Sequence, residues 1–343
     1  MMPPFAHARA DDLGDALRLA AEEKGARLLA GATDLVTVLK RRLERPSLLV
    51  DLKRVRDPAL RAIVGGAKGG LAIGALVTLA EIERSPAVHG DGTGPHAALA
   101  EACAAAATPQ IRNVATIGGN LCQSPRCWYW RDGFPCLLHG GDRCHAAEGD
   151  ARFHAIFADD EQGERQCVDV QPSDPATALV ALDAGLDVVD AAGARRELKV
   201  ADHFRHPTRE RPSLHGLAPG EAIVAVRLPP APEGRVSVHE KAMARAVWTF
   251  ALASVAVAAS YGPGRRLERV RLVLGGVAAV PLRAPAAERA LEGRDPRDAA
   301  VRARAADEAV RGALPHRTNA YKVALVRGLV GRAIERLAGA TPG

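Results

Sequence analysis

Five of the six cysteines in this 343-residue chain lie between Cys122 and Cys167, most of them in a run (residues 123–163) that has neither the period of a strand nor that of a helix. The run is rich in Cys, Trp, Gly, Arg and His. A structureless stretch of about 40 residues inside a compact domain is unusual unless function or a metal orders it. Cys127, Cys136, Cys144 and Cys167 are separated by eight, seven and twenty-two residues. The closely paired cysteines of zinc ribbons and fingers are absent, whereas a [4Fe–4S] cluster needs four thiolates and tolerates varied loop lengths. Spacing alone leaves three readings open: a cluster, a zinc site, or unliganded thiols. Arg126 and Arg143 directly precede Cys127 and Cys144, where positive charge favours thiolates. His139, His145 and His154 are rival ligands in the same run, although a histidine in a polar loop is more often solvated or structural. Trp128, Tyr129 and Trp130 either shield a cluster from water or anchor the loop. Cys103 sits in an Ala-rich helical stretch and reads as a small buried hydrophobe.

The length suggests two or three compact units, because a single core rarely grows beyond about 250–300 residues. With 48% hydrophobic residues but only six Phe, three Trp and three Tyr, the core must be built from Ala, Val and Leu. Helical spacing of apolar residues predicts helices at 11–24, 35–43, 95–107 and 172–183, and buried strands at 26–30 and 47–52. Residues 61–64 with 71–73, and 186–190 with 197–200, read as hairpins, and Thr78 with Glu81 forms a capping box. Pro229, Pro230 and Pro232 mark a linker. Beyond it, strands at 236–242, 251–260 and 270–274 precede helices at 286–291, 295–311 and 320–337, a blockwise order that indicates an α+β domain. The expected units are 1–55, 56–228 (holding the cysteine run, about 122–167) and 233–343.

The net charge of +6 and pI near 9.2 come from scattered arginines in an Ala/Gly/Arg/Pro-rich chain, so no nucleic-acid partner is expected. The N-terminus lacks the pattern of a signal peptide, and no apolar run approaches the ~20 residues needed to span a bilayer. The expectation is a soluble protein of the cytoplasm, or of the periplasm if exported with a signal-bearing partner, and six cysteines in such a chain do not suggest a disulfide framework. Two glycine turns stand out: Leu28-Leu-Ala-Gly-Ala-Thr-Asp-Leu35 between a strand and a helix, and Ala115-Thr-Ile-Gly-Gly-Asn-Leu121. Glycine lets backbone approach a ligand, and free N–H groups at a helix start favour an anion, so two such turns suit a pyrophosphate. Neither fits the dinucleotide or P-loop patterns. No nucleophile–base or paired-carboxylate constellation is visible, which suits a protein whose cofactors do the chemistry.

These segments, with Ile73-Gly-Ala-Leu-Val-Thr78, Gln110-Ile-Arg-Asn-Val-Ala-Thr-Ile-Gly-Gly-Asn120, Pro172-Ser-Asp174, Phe250-Ala-Leu-Ala-Ser-Val-Ala-Val-Ala258, Leu274-Gly-Gly-Val277 and Asn319-Ala-Tyr-Lys322, resemble the FAD-binding (medium) subunit of the xanthine dehydrogenase / carbon monoxide dehydrogenase family along nearly the whole chain. The resemblance implies an α+β fold: a PCMH-type FAD-binding domain of two α/β subdomains, then a C-terminal domain with a three-stranded antiparallel sheet and helices. It implies that Leu28, Leu29, Ala30, Gly31, Ala32, Thr33, Asp34 and Leu35, with Thr116, Gly118, Gly119 and Asn120, wrap the FAD pyrophosphate. Asp174, Ile223 and Lys241 match positions that approach the flavin, and Ala32 stands where the family usually has glycine. The cysteine run is similar to that of the [4Fe–4S]-containing aldehyde oxidoreductase FAD subunit and the 4-hydroxybenzoyl-CoA reductase β subunit. That likeness assigns Cys127, Cys136, Cys144 and Cys167 as ligands and leaves out Cys122. The implied role is an electron-transfer subunit without catalytic residues of its own. It would connect a [2Fe–2S] small subunit and a molybdenum-cofactor large subunit to an external acceptor, in aldehyde oxidation. The alternatives are a hydroxybenzoyl-CoA reductase-like or xanthine dehydrogenase-like enzyme, or a zinc-binding structural or assembly protein.

Overall fold

The computed structural model describes residues 2–66, 69–90, 92, 94–157, 167–208, 213–218, 220–245 and 249–340. Its first unit is a small parallel sheet. Strands β1 (Ala6–Arg9), β2 (Arg27–Leu29) and β3 (Leu48–Asp51) lie in the order β1-β3-β2, joined by the helices Leu13–Glu22 and Leu35–Lys40. Asp12 starts the first helix by accepting the Asp15 N–H, leaving Ala16 and Leu17 to pack against Val50. The short β1 was missed from sequence because its residues (AHAR) are mostly exposed and do not alternate cleanly.

The second unit is a five-stranded antiparallel sheet built from β4 (Ile63–Gly65), β5 (Leu71–Gly74), β6 (Gly185–Val189), β7 (Arg195–Lys199) and β8 (Ala222–Leu228), in the order β4-β5-β8-β6-β7. Both expected hairpins are present, and so is the Thr78–Glu81 capping box. Strand β8, absent from the sequence reading, lies at the sheet's centre. Because Ile223, Val224 and Val226 are all buried, it reads as an apolar run rather than an alternating strand. The helix Ala97–Ala105 is apolar except for Glu101, and most of it is buried.

The third unit holds β9 (Arg235–Ala242), β10 (Ala253–Tyr261), β11 (Leu267–Gly275) and β12 (Leu282–Arg283), antiparallel in the order β12-β11-β10-β9. Three long strands match the expectation, and the two-residue β12 adds a short edge. Period-two alternation gives β10 two buried faces. Ala253, Val255, Val257 and Ala259 face the helices Pro285–Leu291, Ala299–Ala309 and Tyr321–Gly339. Ala256 and Ala258 join the core of the second unit, beside the helix Asp174–Ala181. The units therefore share packed apolar surface. No helix among the described residues is long and apolar enough to cross a membrane.

Candidate functional site

Leu28 and Leu29 end β2 inside the first unit, and the chain turns through Ala30, Gly31, Ala32 and Thr33 to Asp34, which opens the helix at Leu35. Ala32 has φ +60°, a left-handed conformation that costs an L-residue about 1–2 kcal/mol, which explains why glycine suits this position. Gly31 has a different task. A Cβ there would stand 2.2 Å from the Val114 carbonyl oxygen and 3.1 Å from the Ala115 Cα, so its lack of a side chain lets the two glycine loops touch backbone to backbone. Among the described residues, the N–H groups of Gly31, Ala32, Thr33, Asp34 and Leu35 donate to no protein acceptor.

The second loop differs from the expectation of free N–H groups. Thr116 caps the helix Ile117–Leu121 by accepting the Gly119 N–H. The N–H groups of Ile117, Gly118 and Asn120 donate to Val77, Ala75 and Thr116 carbonyls. Its glycines serve close packing instead: a Cβ on Gly118 would lie 2.9 Å from the Ala75 Cβ. Ala75 in turn donates to Val224, next to the buried Ile223 of β8, so these three segments run side by side. The Ser173 hydroxyl donates to Asn120 Oδ1 at 2.5 Å and caps the helix that begins with Asp174. Asp174 and Lys241 are both buried and paired at 2.7 Å, with Lys241 also donating to Ala105 O. Burial raises the Asp174 carboxyl above its ordinary range, and the neighbouring ammonium pulls the other way.

Cys127, Cys136, Cys144 and Cys167 line a single small cavity together with Tyr129, Trp130, Leu137, His145 and Asp169. The loop that carries three of these cysteines is folded as very short helices, Trp128–Arg131, Leu137–His139 and His145–Glu148, too brief to leave a period in the sequence. Burial pushes the Cys127 and Cys136 thiols up. The Cys167 thiol donates to the Cys144 sulfur, which lowers Cys144 to about 6 and raises Cys167. Asp169 is buried with neither carboxylate oxygen fully hydrogen-bonded, and desolvation lifts it to about 7. Among the described residues, no three His, Cys, Asp or Glu side chains converge on one point as a mononuclear metal requires. Cys122 lies off the cavity against the main core, its thiol raised to about 12 by burial, and Cys103 is fully buried.

His154, expected to be solvated or structural, is buried with Nε2 3.2 Å from the Cys127 sulfur, and burial lowers it to about 4. His145 stacks on Tyr129, and the more exposed His139 stacks on Trp130. Asn319 donates to the His154 and Ala155 carbonyls, and Lys322 to those of Phe153 and Gly276. The C-terminal unit thus grips one end of the cysteine run.

Sequence reading missed the connection between the loops. Arg126 and Arg131, either side of Cys127, both bind Asp34 Oδ1 at 2.9 Å, while the Ser124 N–H donates to Asp34 Oδ2 at 2.7 Å. Nothing in the spacing of Asp34 and Arg131, 97 residues apart, signals the pair.

Two family models together span nearly the whole chain. The FAD binding domain in molybdopterin dehydrogenase matches residues 3–231, and the CO dehydrogenase flavoprotein C-terminal domain matches residues 239–337. The aldehyde oxidoreductase FAD-binding subunit PaoB of Escherichia coli is 38% identical over 291 residues, 84% of this chain and 86% of that protein. The 6-hydroxypseudooxynicotine dehydrogenase complex subunit alpha of Paenarthrobacter nicotinovorans is 29% identical over 98% of this chain and 95% of its own. Among solved structures, a carbon monoxide dehydrogenase chain from Hydrogenophaga pseudoflava superposes with a TM-score of 0.73 at 26% identity, covering 98% of this chain and 97% of its own.

Proposed function

We infer the function from membership: the chain belongs to the FAD-binding, medium-subunit family of the molybdenum hydroxylases and is an oxidoreductase subunit. Within that family we propose that it carries a [4Fe–4S] cluster beside its FAD and passes electrons between a [2Fe–2S] small subunit and an external acceptor. A molybdenum-cofactor large subunit completes the assembly and oxidises the substrate. The observation that carries this reading is four cysteines around one cavity, with arginines on both sides of Cys127 reaching Asp34 in the first glycine loop.

When bound, the flavin and the cluster supply the redox chemistry. The chain's own residues bind, orient and insulate. The N–H groups of Gly31 to Leu35 face the pyrophosphate, and Thr116, Gly118, Gly119 and Asn120 form the opposite wall. Asp174, Ile223 and Lys241 border the flavin, where the buried ion pair keeps the wall rigid without presenting a net charge. Cys127, Cys136, Cys144 and Cys167 hold the cluster, screened from water by Tyr129 and Trp130, which line the cavity. A zinc ion would draw four sulfurs to within about 2.3 Å of a single point. Thiolates that bind a cube at its corners need only line a common cavity, and four cysteines lining one cavity support that reading. Residues 1–55 and 56–228 are the two FAD-clasping units and 233–343 the C-terminal unit. Aldehyde oxidation is the favoured overall reaction, because the 38%-identical relative is an aldehyde oxidoreductase subunit.

Anaerobic addition of an aldehyde to the assembled complex will bleach the flavin absorbance, whereas the isolated chain will stay oxidised. A complex whose molybdenum centre turns over while its flavin remains oxidised overturns the proposed role.

A further inference from the structure

The cysteine loop is a closed excursion from the FAD loops. It leaves at Asn120 and returns at Ser173, and these two side chains are hydrogen-bonded to each other at 2.5 Å. Just inside the exit, Gln123 donates to the Asn120 carbonyl and accepts from Arg126, which also reaches Asp34. From the position directly before Cys127, Arg126 therefore binds the first glycine loop directly and is linked to the second through Gln123. Arg131 is buried, and each guanidinium nitrogen is engaged. Nε donates to Pro125 O, Nη1 to the Thr37 hydroxyl, and Nη2 to Asp34 and Ser124 O. On the other side of the contact, Val38 of the helix Leu35–Lys40 is fully buried against Trp130 and Cys136.

This geometry has an electrostatic consequence. Asp34 sits in the loop whose free N–H groups face an anion, where an unpaired carboxylate would repel it. Two arginines on one carboxylate leave that corner with a net charge of about +1, which favours a pyrophosphate. Both arginines ride on the segment that Cys127 anchors, so their aim depends on how that segment is held.

We propose that Arg126 and Arg131 are positioning residues that make FAD retention depend on the cysteine loop: with the four thiolates tied, they hold Asp34 and the 31–35 loop in the FAD-binding shape, and with the thiolates released that hold is lost. The inference rests on the cluster reading given above. It assigns the loop a part in flavin binding in addition to any part in electron transfer.

The test uses the full chain in its complex, with iron counted separately from flavin affinity, which is read from recovery of flavin fluorescence. Chelating iron from the wild type raises the FAD dissociation constant about tenfold or more. Arg131→Met raises it by a similar factor while the iron stays bound, and chelation of that variant adds little, because the two perturbations break one link. Arg131→Lys, which keeps the charge and loses the fork, guards against a folding artefact and gives an FAD affinity between those of the wild type and Arg131→Met. Iron present in the wild type with FAD affinity unmoved by chelation overturns the coupling alone, as does an Arg131→Met protein that binds FAD normally. A wild type without iron overturns the cluster reading and takes the coupling with it.

Discussion

Replacing Lys322 by methionine will flatten the pH dependence of stability. Lys322 is wholly buried, and its Nζ donates to the carbonyls of Phe153 and Gly276 at 2.9 and 2.8 Å. Burial, unrelieved by any carboxylate, pulls its ammonium from 10.5 down to about 7. The folded pKa is thus below the unfolded one. Between these values the unfolded chain binds a proton that the folded chain lacks, so stability rises with pH across that window and the penalty levels off below about pH 7. With those two pKa values the penalty is about 4 kcal/mol near pH 7 and about 1 kcal/mol near pH 10. Methionine carries no such penalty at either pH, but it leaves two buried carbonyls unpaired at about 1–3 kcal/mol each. The terms roughly cancel near pH 7, and the variant falls behind by about 1–5 kcal/mol near pH 10. Thermal unfolding with saturating FAD reads the difference. At roughly 2 °C per kcal/mol for a chain of this size, the gap between the two midpoints will widen by about 6 °C from neutral to alkaline pH. Two curves that run parallel across the window refute the argument from burial.

Three further substitutions have expected outcomes. Gly31→Ala forces its Cβ against the Val114 carbonyl, and overpacking of about 1–3 kcal/mol will weaken FAD binding about tenfold or more in a fluorescence titration; unchanged affinity refutes contact between the loops. Ala32→Gly relieves about 1–2 kcal/mol of left-handed strain and costs about 0.4–1 kcal/mol of unfolded-chain entropy, so the thermal midpoint will rise slightly, and a clear fall contradicts the φ assigned here. Lys241→Met leaves Asp174 buried without its partner and will cost about 3–5 kcal/mol in denaturant unfolding. Adding Asp174→Asn to that variant will restore much of the loss, and equal instability of single and double variants counts against the pair.

Local signals made most of the fold legible. The helices at 174–181 and 321–339, both hairpins of the second unit and the strands of the C-terminal sheet each carry their own period, cap or turn. Strand β8 escaped because a strand buried on both faces loses its alternation, and β1 because its residues are mostly exposed. The cysteines and glycine turns announce themselves by composition. What they touch does not, since the Asp34–Arg131 pair, the Gly31–Val114 contact and the grip of Lys322 on Phe153 join residues far apart in the chain. The second glycine loop is the instructive case. From sequence its N–H groups looked available to a ligand, yet those of Ile117 and Gly118 hold the loop to Val77 and Ala75.

The central claim is that one polypeptide holds a flavin and an iron–sulfur cube on adjoining loops. Composition of the protein prepared without oxygen tests it most directly, by counting FAD, iron and acid-labile sulfide and recording the EPR spectrum after reduction. The account predicts one FAD with about four irons and four sulfides per chain. The cluster signal will be lost or altered in Cys127→Ser, Cys136→Ser, Cys144→Ser and Cys167→Ser and kept in Cys122→Ser. A preparation that contains zinc in place of iron, or a signal that follows Cys122 rather than the four cavity cysteines, contradicts it.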